Sequence, residues 1–289
     1  MKKTRLILAS VVSAVALTSV ALAASKGSSE PASDKLVTEQ RHMLAKNTDG
    51  AGFGPQSPRD IDAVIGNNDR AFGTAPSYAT MNLCNIHFHE NAEHKGGEFT
   101  TYAGNGDGHG YGTGFKYNGK LSDAELADYD HKVGKTSHGD LISGDTIEVH
   151  YVHTTAKVKP GATLGSCLSE AIKNPQLRVE TQVYVLVNDK KALDFVNLTH
   201  HEVVEGVHQA TNIPTNTGAP VQYAGSTTGP SYNEAGSPFQ VTWSVRPQVA
   251  KVSISSVATW LKGNTFEEDH AHGVRNLVMN PNLLSKIQK

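Results

Sequence analysis

Residues 145–155, DTIEVHYVHTT, alternate between two kinds of side chain with a period of two. That period marks a β-strand with two unlike faces, because successive Cβ atoms point to opposite sides. Glu148 and His150 therefore share one face, and Val149 and Tyr151 the other. Runs equally rich in Val, Ile, Thr and aromatics occupy residues 83–88, 177–187, 240–245 and 249–254, with turn residues between them. Helical spacing is confined to short pieces at 122–130, where Ser122 and Glu125 match a capping box, at 168–173 and at 257–262. The expected fold is mainly β (α+β): a large central, mostly antiparallel twisted sheet with short peripheral helices.

The flanks set the organisation. Lys2, Lys3 and Arg5 precede an uncharged stretch that ends in small residues at Ala23, the pattern of a secretory signal peptide over residues 1–23. A membrane anchor fits less well, since the apolar core is short and a polar run follows it directly. The mature chain is expected to be periplasmic or secreted, with no membrane association after cleavage. Residues 24–57 are polar and read as a flexible N-terminal arm, with one short helical pattern near 35–45. Residues 58–289 read as a single domain. Within it, residues 96–119 carry so many glycines that a long loop is expected. The formal charge of −2 becomes more negative once the leader cations are lost, which argues against a nucleic-acid partner.

Only two cysteines are present, Cys84 and Cys167, and in an oxidising compartment such a pair is expected to form a disulfide. Histidine is abundant where core aromatics are scarce: 14 His against 8 Phe and 2 Trp, which directs attention to metal chemistry. In the strand-like segment NIHFHE, His87 and His89 lie two apart and face the same way. An HxH pair alone is weak evidence. His150 adds a third imidazole from a second strand, and Glu148 on the same face is placed to accept a hydrogen bond from a ligand histidine. His153, an odd number of residues from His150, points to the other face and is expected to pack or bond within the sheet. Three neutral imidazoles without a fourth protein ligand describe an open Zn2+ site, whose bound water ionises near neutral pH and attacks carbon dioxide as hydroxide.

With these residues in place, the sequence resembles the carbonic anhydrases, most closely the delta class, with alpha-class motifs. MNLCNIHFHENAEHKGGEF (81–99) is similar to the delta-class block around its HxH pair, and TIEVHYVH (146–153) to the alpha-class ExHxxH strand. QYAGSTTGPS (222–231), VTWSV (241–245) and KVSISS (251–256) resemble later alpha-class segments in the same order. The resemblance implies an alpha-carbonic-anhydrase-like fold and reversible hydration of carbon dioxide to bicarbonate by zinc-bound hydroxide. It makes His87, His89 and His150 the zinc ligands, Glu148 the carboxylate that accepts a hydrogen bond from one of them, and Glu93 the acceptor of a hydrogen bond from a catalytic threonine. An ungapped match places that threonine at Thr228; pairing the two threonines instead gives Thr227. Arg70 stands where the alpha pattern carries its proton-shuttling histidine, and arginine cannot relay a proton at neutral pH. His94 and His109 are the first candidates for the shuttle, with His138, His200 and His201 behind them. Expected partners are carbon dioxide and bicarbonate, and a homo-oligomer is compatible with the sequence.

Two other readings use the same residues. In a cupin-type metalloenzyme Glu93 would join the histidines as a ligand, but Met81 stands where that motif requires glycine. A periplasmic zinc-binding protein without catalysis would account for histidine and export, yet these histidines are dispersed and the threonine segment would be unexplained.

Overall fold

The computed structural model describes residues 30–227 and 233–288. The predicted runs become β1 (Asn82–Glu90), β4 (Thr146–Thr154), β5 (Leu177–Val187) and β9 (Gln240–Ser253); β2 (Thr101–Tyr102), β3 (Phe115–Lys116), β6 (His201–Val204), β7 (Val207–Ala210) and β8 (Val221–Ser226) lie outside those runs. Five of them form one sheet in the order β1–β4–β5–β9–β8. Three of its pairings are antiparallel and one, β5 with β9, is parallel. β2–β3 and β6–β7 are separate two-stranded ribbons.

Both faces of the large sheet are covered, so β4 and β5 are buried along their whole length. One face packs Phe88, Val149, Tyr151 and Tyr184 against Phe195 and Trp260, which lie on α2 (Phe195–Leu198) and α3 (Ile254–Trp260). The opposite face carries Val152, Val179, Val183, Trp243 and Val245. A disulfide between Cys84 and Cys167 ties β1 to the 3-10 turn Leu164–Cys167 on that second side.

Four expectations change. No helix forms at 168–173. The segments 240–245 and 249–254 are one strand, β9, with a register shift opposite Gln182. Pro247 lies in that irregularity, where its missing N–H takes nothing from the ladder. At 122–130 the capping bonds form, with Ser122 N donating to Glu125 Oε2 (2.8 Å), but the chain makes only a turn. The polar arm is the largest correction. Residues 34–48 form α1 (Asp34–Thr48), capped by Ser33, whose Oγ accepts from Leu36 N at 3.2 Å. α1 buries Val37, Gln40, Leu44 and Thr48, spaced three and four apart, and Leu44 packs with Val278, Leu283 and Leu284 near the C-terminus. Gln40 reaches across to Gly108 O at 2.9 Å, which ties this helix to the glycine-rich loop.

That loop spans the expected region and is interrupted by β2 and β3. At Gly106, with φ +59°, an added Cβ would meet Tyr111 O at 2.1 Å, so no other residue fits that turn. The predicted leader lies outside the described residues. Among the described residues no helix is long and apolar enough to cross a membrane.

Candidate metal centre

The register of β1 against β4 sets His87 directly opposite His150, and His89 opposite Glu148. All four side chains share the second face of the sheet, and Phe88 and Val149 between them face the first core. Ring centroids lie 5.3 Å apart for His87 and His89, 5.0 Å for His87 and His150, and 4.7 Å for His89 and His150. One ring nitrogen from each falls within 4.8 Å of the others.

Each ring is held by its remaining nitrogen. His87 Nδ1 donates to Asn85 Oδ1 (2.6 Å), His89 Nδ1 to the carbonyl of Gly273 (2.8 Å) and His150 Nε2 to Glu148 Oε1 (2.7 Å). These three bonds choose the tautomers. They leave Nε2 of His87, Nε2 of His89 and Nδ1 of His150 as lone pairs aimed at a common point. His150 Nδ1 and His87 Nε2 are 3.2 Å apart, and two lone pairs at that distance repel unless a cation stands between them. The donor set therefore fits a divalent metal ion.

Electrostatics agree. Burial, reinforced by the neighbouring imidazoles, holds His87 well below the ordinary histidine range, and burial lowers His89 to about 4. Both are thus neutral and able to ligate at neutral pH. Burial opposes ionisation of Glu148, yet the adjacent His94 and His150 overcome it and hold the carboxyl well below its usual range.

Glu148 is the hub of a longer chain. His94 donates to it twice, from Nδ1 to Oε1 (2.7 Å) and from its backbone N to Oε2 (3.0 Å). His94 Nε2 lies 2.6 Å from Tyr223 Oη, which is 2.9 Å from Ser57 Oγ; the same Ser57 Oγ accepts from Ser226 N at 3.1 Å. His94 is fully buried with both ring nitrogens engaged, which corrects its reading as a shuttle at a cavity rim. His109 is exposed on the glycine-rich loop and is not among the residues lining the cavity at the triad.

That cavity holds about 100 Å³. The three histidines and Glu93 form one side, Val152, Leu164, Val179 and Trp243 an apolar wall, and Ser57, Pro58, Ser226 and Thr227 the remainder. Three larger clefts, of about 630, 260 and 660 Å³, lie away from the triad. Glu93 Oε1 accepts from Arg275 N (3.0 Å) and stands 3.9 Å from His89 Nδ1, the nitrogen already turned to Gly273. It is therefore not placed as a metal ligand of the cupin kind. Thr228 lies outside the described residues. Thr227 Oγ1 is 3.0 Å from Ser237 Oγ. His153 is fully buried, donates from Nδ1 to Tyr151 O (3.0 Å) and packs on Tyr78.

A model of the delta carbonic anhydrase family matches residues 78–256, which include every strand of the main sheet, the triad and Glu148. The chain belongs to the delta carbonic anhydrases. As a carbonic anhydrase it interconverts carbon dioxide and bicarbonate. Solved structures similar to it include the alpha-carbonic anhydrase of Thermovibrio ammonificans in complex with the inhibitor sulfanilamide, at 16% identity over 77% of this chain and 84% of that one, with a TM-score of 0.28. The Photobacterium profundum alpha-carbonic anhydrase matches at 14% identity over 78% and 88%, with a TM-score of 0.27. A halotolerant carbonic anhydrase from Dunaliella salina matches at 14% identity over 87% and 93%, with a TM-score of 0.32. No curated protein sequence matches. Family membership rests on the match over residues 78–256.

Three features of this delta carbonic anhydrase escape sequence reasoning. Asn85 carries a usable signal, since it lies two residues before His87 and a period of two predicts its face. Gly273 acts through its carbonyl and has no such signal. Its segment lies beside β1 as an added strand: His272 N donates to Phe88 O and Glu90 N to His272 O, both at 2.9 Å. That bridge also places the His272 ring 5.6 Å from His87 and 5.9 Å from His89.

Proposed function

We propose that the chain is an exported zinc carbonic anhydrase whose metal is held by His87 Nε2, His89 Nε2 and His150 Nδ1. The observation that carries this reading is the convergence of three lone pairs, each fixed by an oxygen acceptor on the far side of its ring. A zinc ion bound there supplies a Lewis-acidic centre that renders water nucleophilic near neutral pH. Three neutral ligands leave the charge of such an ion undiminished, and the buried, preoriented rings need no rearrangement to receive it.

The other residues prepare the substrate. Val152, Leu164, Val179 and Trp243 offer carbon dioxide an apolar surface beside the histidines and keep bulk water from that side. Glu93, anchored by Arg275 N, is the acceptor that orients a threonine hydroxyl from the 227–228 segment, with Thr228 the expected residue and Thr227 the one seen at the cavity. Ser226, just before that segment, is tied through Ser57 and Tyr223 to His94 and Glu148. Export by the leader at residues 1–23 is consistent with the Cys84–Cys167 disulfide.

Stopped-flow hydration of carbon dioxide, run beside metal analysis of the same preparations, tests the reading. The parent protein should carry one zinc per chain and turn over rapidly, and His150→Ala should lose both metal and activity. Full hydration activity in His150→Ala would refute the ligand assignment, and zinc binding without hydration would favour a carrier.

A further inference from the structure

The segment EEDHAH, residues 267–272, is not used by the triad, yet it brings a line of imidazoles to it. His270 and His272 rings lie 5.7 Å apart, and His272 continues to His87 at 5.6 Å and His89 at 5.9 Å. These spacings are close to the 4.7 to 5.3 Å that separate the rings of the triad itself, where pairs of imidazoles are placed to share one ion. Each outer ring has its own carboxylate: Glu268 Oε2 is 2.7 Å from His272 Nε2, and Asp269 Oδ1 bonds His270 Nδ1.

His270 and His272 are both more accessible than His89 and His150. Asp269 is 80% exposed, His272 43% and His270 35%, against 10% for His89 and 3% for His150. Glu268 and His272 offer a hydrated cation ligands to exchange for part of its water before it meets the triad. We propose that Glu268, Asp269, His270 and His272 form an entry relay that captures a divalent transition-metal ion from solvent and hands it to the triad. This inference rests on the reading of the triad as a metal centre.

The chemistry suits a relay and not a store. Carboxylate and imidazole together suit divalent zinc or cobalt, and a carboxylate at the outer end draws cations in. The Glu268–His272 pair offers only two donors, which need to part by less than about 1 Å to straddle an ion with bonds of about 2.0–2.2 Å. Two donors hold an ion briefly, whereas the three preoriented rings beyond hold it firmly. Passage displaces the proton shared by Glu268 and His272, which leaves to solvent, and no other bond changes.

A relay outside the final site speeds entry and exit alike and leaves the equilibrium affinity unchanged. That gives a test independent of catalysis: uptake of Co2+ by the metal-free full chain, followed by stopped-flow visible absorbance, with release measured into excess chelator. In His272→Ala and in Glu268→Gln, entry and exit rates should both fall about tenfold, the lower end of the gain that focused charge gives an association rate. One cobalt per chain should still bind at equilibrium with unaltered Kd. His270→Ala, at a half-buried position farther from the triad, should slow uptake by a smaller factor and covers the case in which the His272 variant folds poorly. An unchanged entry rate in these variants, or a weaker Kd produced by faster release alone, would overturn the relay. A parent chain that binds no cobalt at equilibrium would overturn the metal centre, and the relay with it.

Discussion

His150 Nε2 lies 2.7 Å from Glu148 Oε1, its neighbour two residues back along β4. The carboxylate keeps the proton on Nε2 and so keeps Nδ1 free for a metal. Glu148→Ala removes that constraint and also strands the two donors of His94. Metal affinity should fall by about 10–100-fold, the usual loss when such an outer partner is removed. Competition against a chromophoric chelator measures it, and an affinity equal to the parent's would show that Glu148 does not set the tautomer.

The Cys84–Cys167 bond closes a loop of 83 residues and anchors β1 three residues before His87. Restricting the unfolded chain over a loop of that size contributes about 2–5 kcal/mol. Urea unfolding with and without reductant should differ by that amount. The double variant Cys84→Ala/Cys167→Ala should match the reduced protein and ignore reductant.

Burial pushes the His153 imidazole down to about 3, below its unfolded value near 6.5. Between those values the unfolded chain binds a proton that the folded chain refuses. Stability from this group is therefore complete above pH of about 6.5 and is lost as pH falls toward 3. His153→Phe keeps a planar ring at the site and removes the titration. Urea midpoints recorded from neutral to acid pH should decline less steeply in this variant, and parallel declines would show that His153 does not drive the acid sensitivity.

Leu44 on α1 is 4% exposed and packs on Val278, Leu283 and Leu284. Leu44→Ala should destabilise the chain by about 2–3 kcal/mol, since a buried leucine truncation costs both transfer energy and a cavity. A free arm would show no change in the unfolding midpoint.

Four strands of the main sheet were legible because β1, β4, β5 and β9 hold runs rich in β-branched and aromatic residues, and a strand's period is local; β8 (VQYAGS) is too short and glycine-broken to stand out. The same locality showed α1 as a short helical pattern near 35–45 but hid its docking. Of its four buried residues only Val37 and Leu44 are apolar, so the stripe is too faint to distinguish a docked helix from a polar arm. β9 read as two strands because Pro247 interrupts the pattern without interrupting the pairing. At the site, HxH and ExH were visible because each pair lies on one strand. The Gly273 carbonyl and the His272 ring come from a segment more than 180 residues away, and no spacing rule connects it to β1. His94 misled for a related reason: closeness in sequence does not give direction, and its ring turns inward to Glu148.

The in-register pairing of His87 with His150 has a consequence for how the folded state can be recognised. A slip of β1 by one residue would exchange faces, presenting Phe88 where the imidazoles belong. Such a chain could retain much of its hydrogen-bonded ladder and most of its secondary structure while losing every convergent lone pair. Tight metal retention therefore acts as a proof-reading signal for strand alignment, one that far-ultraviolet spectroscopy would not supply, and it sorts correctly aligned molecules from near-misses before any substrate is added.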